Sequence, residues 1–137
     1  MAESREIRQQ ELARLLLQKA RQDLALVEKV SYDDTIADEI LGFHVQQTIE
    51  KAIKAVLTRL GMQYEFTHDL SLLYQQAEDA GAKPPSTHDA VEALGPFAVQ
   101  FRYALYADLD FDREVGVVMA QEFIEWAHAV IETPVRS

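Results

Sequence analysis

Apolar residues recur along this chain at three- and four-residue intervals, and no stretch alternates apolar and polar positions as a strand would. The first periodic stretch, from about Glu6 to Lys29, repeats Leu12, Leu16, Ala20, Leu24 and Val27, with Leu15 and Leu26 widening the stripe. Ser31-Tyr32-Asp33-Asp34-Thr35 reads as a loop, where Asp34 or Thr35 can accept a hydrogen bond from a free amide opening the next helix. A second helix is predicted over about Ile36 to Leu60, closed by the left-handed residue that Gly61 supplies. At about 100° per residue, Leu41, Val45, Ile49, Ala52, Ile53, Val56, Leu57 and Leu60 share one arc. His44, Gln47, Glu50, Lys51, Lys54 and Thr58 share the other.

A third helix is predicted from His68 to about Ala80, capped by Thr67 and ended by Gly81, with Leu70, Leu73, Tyr74 and Ala77 inward. After the Pro84-Pro85 loop a fourth begins near Ser86 or Thr87, and Pro96 either starts its main part or kinks it. Its core stripe is Leu94, Phe97, Phe101 and Leu105, leaving Arg102, Tyr103 and Tyr106 for another surface. Asp112 and Glu114 look like the acidic start of a last helix that buries Met119, Phe123, Trp126, Ala127 and Val130 and stops at Pro134. The pattern describes an all-α protein, an antiparallel bundle of about five amphipathic helices.

The length of 137 residues and 48% hydrophobic content suit one folded domain spanning residues 1–137. Without cysteine the chain has no disulfide, thiolate metal site or Cys nucleophile, which suits a cytoplasmic setting. No apolar run approaches the roughly 20 residues needed to span a bilayer, so no membrane association is expected. A formal net charge of -10 disfavours general attraction to nucleic acid, although a local basic strip could still hold a nucleotide or an RNA end.

His68-Asp69 and His88-Asp89 both stand in the string Thr-His-Asp at helix starts. Each fits a capping Thr with an Asp complementing the helix dipole, and each could also offer two ligands to a divalent ion. Metal-dependent phosphohydrolases of the HD type are all-helical and need a His, a His-Asp pair and a distant Asp. Here His44, His68, Asp69 and Asp108 or Asp112 would fill those places. The chain has no pair of His four residues apart on a helix, no Gly-rich phosphate loop and no Gly-x-Ser-x-Gly elbow.

His44, Gln47, Lys51 and Lys54 line one face of the second helix, a set suited to phosphate or an acidic surface; a plain solvated face carrying a Glu50–Lys54 ion pair has the same pattern. Arg102 with Tyr103 and Tyr106 can form an aromatic shelf beside a guanidinium, able to stack a base or pack a second subunit.

The string from Phe43-His44-Val45-Gln46-Gln47 to Ala55-Val56-Leu57, followed by Thr67-His68-Asp69-Leu70 and then Arg102-Tyr103, resembles the HEPN (higher eukaryotes and prokaryotes nucleotide-binding) family in all three motifs and their order. The similarity takes in Lys19-Ala20-Arg21-Gln22-Asp23-Leu24 and the closing helix, and so nearly the whole chain. It implies an antiparallel helical bundle that commonly dimerises. Many members resemble metal-independent RNases in which an Arg and a His four to six residues later meet their dimer mates in a cleft; others are non-catalytic partners of a minimal nucleotidyltransferase, often in toxin–antitoxin pairs.

Arg102 here is followed by Tyr103, Ala104, Leu105, Tyr106, Ala107, Asp108 and Leu109, and the next histidine is His128. General acid–base catalysis therefore lacks its donor at that place. The expectation is a homodimer that binds a nucleotide, RNA or nucleotidyltransferase partner through His44, Gln47, Lys51, Lys54, Arg102, Tyr103 and Tyr106, with no catalytic residue, metal or cofactor of its own. An RNase with an unconventional site and an HD-type phosphohydrolase are the alternatives.

Overall fold

The computed structural model describes residues 2–64, 67, 69–98 and 111–134, and among them every regular element is helical. In chain order these are α1 (Ala2–Val30), α2 (Asp38–Arg59), α3 (Leu70–Asp79), the short α4 (His88–Glu92), a 3₁₀ turn (Gly95–Ala98) and α5 (Arg113–Glu132). No described helix is long and apolar enough to cross a membrane.

α2 is the central element. It packs against α1, α3, α5 and the 3₁₀ turn, and Leu41, Val45, Ile49, Ala52, Ile53, Val56 and Leu57 are fully buried, as its apolar arc predicts. Side-chain contacts give the directions. Gln10 of α1 donates to the Ile131 carbonyl near the end of α5, whereas Arg113 at the start of α5 reaches Val30 at the end of α1, so these two helices run antiparallel. Arg59 at the end of α2 reaches Glu6 near the start of α1, so α1 and α2 are antiparallel as well.

On α1 the buried stripe is Ala13, Leu17, Ala20, Leu24 and Val27. The expected stripe is displaced by one residue in the N-terminal half: Leu12 is 48% and Leu15 58% exposed, and Leu26 is exposed too. Both stripes have helical spacing and share Ala20, Leu24 and Val27; they part at the N-terminal half, where Ala13 and Leu17 take the buried places. α5 differs in the same way. It buries Gly116, Ala120, Phe123, Ile124, Ala127 and Ile131, leaving Met119, Trp126 and Val130 partly buried at the margin of the core. Gly116 allows a close approach, since a Cβ there would lie 2.6 Å from Phe111 Cζ.

The caps follow local chemistry. Gly61 and Gly81 end α2 and α3 at φ 73° and 81°, values that suit glycine. Thr87 caps α4 by accepting from Ala90 N–H, and Asp112 caps α5 by accepting from Val115 N–H. α3 starts two residues later than the sequence suggests. Asp69 is its cap, accepting from Leu72 N–H, while Thr67 Oγ1 accepts from Asp69 N–H. Neither Asp34 nor Thr35 caps α2, whose first turn follows Ala37 with no side-chain cap; instead Asp33 accepts from both the amide and the hydroxyl of Thr35 within the loop. Phe101, Leu105, Arg102, Tyr103 and Tyr106 lie outside the described residues, as do His68 and Asp108.

Candidate functional site at the α1–α2 seam

The polar arc of α2 is only partly open to solvent. Gln46, Thr48 and Glu50 are buried, Glu50 with only 3% exposure, and the reading of Glu50 as part of a solvated face is corrected. A helix packed on three sides by other helices has too little open circumference for a full polar face, so its polar groups must pair inside the structure.

The pairing is centred on Asp23, which α1 carries beside its core residue Leu24. One carboxylate oxygen lies 3.2 Å from His44 Nδ1 and the other accepts from Lys51 Nζ at 2.6 Å. His44 and Lys51 are two turns apart on one side of α2, which places Asp23 between them. An ionised carboxylate can only accept, so against Asp23 the His44 Nδ1 acts as the donor. The His44 ring is also held edge-on to Phe43, with centroids 5.2 Å apart.

A second chain of bonds continues on α2. Gln47 donates to Gln46 Oε1 at 2.8 Å, Gln46 donates to Glu50 at 3.3 Å, and Lys54 donates to the other oxygen of Glu50 at 3.0 Å. The Lys54 ammonium stands 5.7 Å from the centre of the Tyr64 ring, within the range of a cation–π contact. Of the four expected ligand residues of α2, His44 and Lys51 meet Asp23 in the α1–α2 seam, whereas Gln47 and Lys54 belong to a separate chain of bonds along α2 through Gln46 and Glu50; Asp23, Gln46 and Glu50 were not marked as site residues by the sequence.

The electrostatics differ from a basic strip. Lys51 and Lys54 are matched by Asp23 and Glu50 at contact distance, so both ammonium groups are already paired within the chain.

The two other histidines among the described residues contact groups elsewhere. His88 Nε2 lies 2.6 Å from Ser71 Oγ, and its ring stacks on Tyr74 at 5.0 Å and 8°, fastening α4 to α3. His128 is exposed, with Nδ1 3.3 Å from an Arg21 nitrogen. Asp69 and Asp112 are helix caps. Among the described residues no group of three or more His, Asp or Glu is placed to hold a metal ion.

The fold and seam define a helical-bundle protein whose polar groups converge between its first two helices. The model of the HEPN domain matches residues 13–137, and the chain belongs to the HEPN domain family. No curated protein and no solved structure gives a match.

Proposed function

We propose that this HEPN protein binds a nucleotide, or docks a nucleotidyltransferase partner as in a toxin–antitoxin pair, without a complete catalytic site of its own. The observation that carries the reading is the Asp23-centred seam, in which His44 and Lys51 are held in fixed orientation by one carboxylate. Prearranged donors of this kind favour a polar ligand that completes their remaining bonds, because little side-chain freedom is lost on binding. Base or ribose groups suit a seam whose lysine is already paired with a carboxylate, and Arg102 with Tyr103 and Tyr106 would supply phosphate contact and stacking.

The missing His after Arg102 argues against RNA cleavage, since a general acid or base typically contributes 10²–10⁴-fold in rate. Exposed Leu12 and Leu15 on α1 support a homodimer, the assembly commonest in the family. The test is calorimetric titration of the purified protein with ATP and GTP in chelator, beside His44→Ala, together with incubation of both with mixed RNA. Nucleotide binding that His44→Ala loses, and intact RNA, are the expected results. RNA cleavage that disappears in Arg102→Ala would overturn the assignment.

A further inference from the structure

The outward face of α5 joins apolar and acidic side chains in a way that its core face does not explain. Val115 and Val118 are 56% and 50% exposed, one turn apart, and Tyr32 on the α1–α2 loop is 87% exposed. Val118 forms a ridge between two clefts. One, of about 300 Å³, is lined by Tyr32, Val117 and Gln121; the other, of about 370 Å³, by Val115, Met119 and Ser86. Glu114 borders both.

The rim is mainly acidic, although Arg113 also lines the first cleft. On α5 Glu114, Glu122 and Glu125 surround Val118 at helical spacing, and every one is exposed. Asp33 and Asp34 follow Tyr32, and Glu28 reaches the first cleft through a hydrogen bond from Gln121. Arg113, the basic residue of α5, is engaged by the carbonyls of the α1–α2 loop and by the Asp38 carboxylate, so the glutamates of α5 keep their negative charge without an ion pair to it.

We propose that this face of α5 docks a basic amphipathic helix from a partner protein, with apolar side chains entering the two clefts and Lys or Arg side chains meeting Glu114, Glu122 and Glu125. Charge selects the occupant. A second copy of a chain with net charge -10 would bring acid against acid here, and nucleic acid would be repelled. The face shares no residue with the α1–α2 seam, so it stands or falls independently of nucleotide binding.

The probe is a labelled Leu/Lys peptide of helical amphipathic pattern, about 18 residues or five turns long, compared by fluorescence anisotropy with a scrambled peptide of the same composition. Val118→Asp adds negative charge, so attraction by charge alone predicts equal or tighter binding. Apolar docking predicts the opposite, a loss of about tenfold, the scale of one buried Val side chain. Circular dichroism checks that the variant keeps its helices, and Leu72→Asp on α3, an exposed apolar residue away from this face, should leave the affinity unchanged. Amide shifts on peptide addition should gather at Tyr32 and residues 114–122. Equal binding of the scrambled peptide, undiminished binding by Val118→Asp, shifts spread over the whole acidic surface, or a wild-type dimer that Val118→Asp dissociates would each overturn the proposal.

Discussion

At the two ends of α2, arginines donate to main-chain carbonyls, whereas at its middle His44, Lys51 and Lys54 meet side chains. Arg59 is 2% exposed and gives its guanidinium protons to the carbonyls of Ile131 and Thr133 and to Glu6, closing the C-terminal end of α5. Arg113 reaches the carbonyls of Ser31, Asp33 and Ile36 and the Asp38 carboxylate, so one side chain gathers the whole α1–α2 loop. Main-chain carbonyls cannot move without moving the helix ends that carry them. The seam's bonds are between side chains, which can exchange one partner for another while the backbone stays put. That difference assigns the arginines to the fold and the seam to recognition.

The largest effect expected is at Arg59. Arg59→Met leaves two inner carbonyls without a charged donor and should lower the unfolding free energy by about 3 kcal/mol, measured by urea denaturation. Arg113→Ala comes next, at about 2 kcal/mol, because its site is more open to water. Faster amide exchange at residues 31–37 should mark that loss. If either arginine proved neutral, the assignment of these two side chains to holding the fold would fail.

Asp23→Asn should cost less, about 1 kcal/mol or below, since Lys51 is partly exposed and an amide still offers an oxygen. A loss as large as that of Arg59→Met would make the seam a structural clamp like the others.

The smallest effect concerns acid. Hydrogen bonds from the hydroxyl and then the amide of Thr35 hold the Asp33 carboxyl below its ordinary value of 3.8. Because the folded-state value is the lower one, this stabilisation is complete above pH 3.8 and fades as the pH falls through the folded-state value. Thr35→Val removes the hydroxyl. Its unfolding midpoint should trail wild type slightly at neutral pH and converge with it in acid; a constant gap at all pH values would contradict the cause.

Periodicity made α2 legible almost completely, because a helix packed on several sides needs a broad apolar arc and few registers satisfy it. α1 was legible as a helix but not in its register: Leu12 and Leu16 offer one stripe and Ala13 and Leu17 another, and periodicity alone cannot tell which of them its neighbours cover. The four expected ligand residues of α2 were visible from their shared face. Asp23 was not, since a lone acid in a helix of mixed charge looks like any surface residue, and its position beside Leu24 was the only local sign. Arg59 and Arg113 left no trace either, because their partners are carbonyls 72 or more residues away in the chain for Arg59 and about eighty for Arg113.

The most direct test of the seam as a recognition site is calorimetric titration of wild type, Asp23→Asn and Lys51→Met with the same ribonucleoside triphosphate, alongside their urea midpoints. The account predicts that wild type binds, that both variants lose at least about tenfold in affinity, the scale of one charge-assisted hydrogen bond, and that their stability stays close to wild type. Equal affinity in all three proteins, or no binding by wild type, would contradict it.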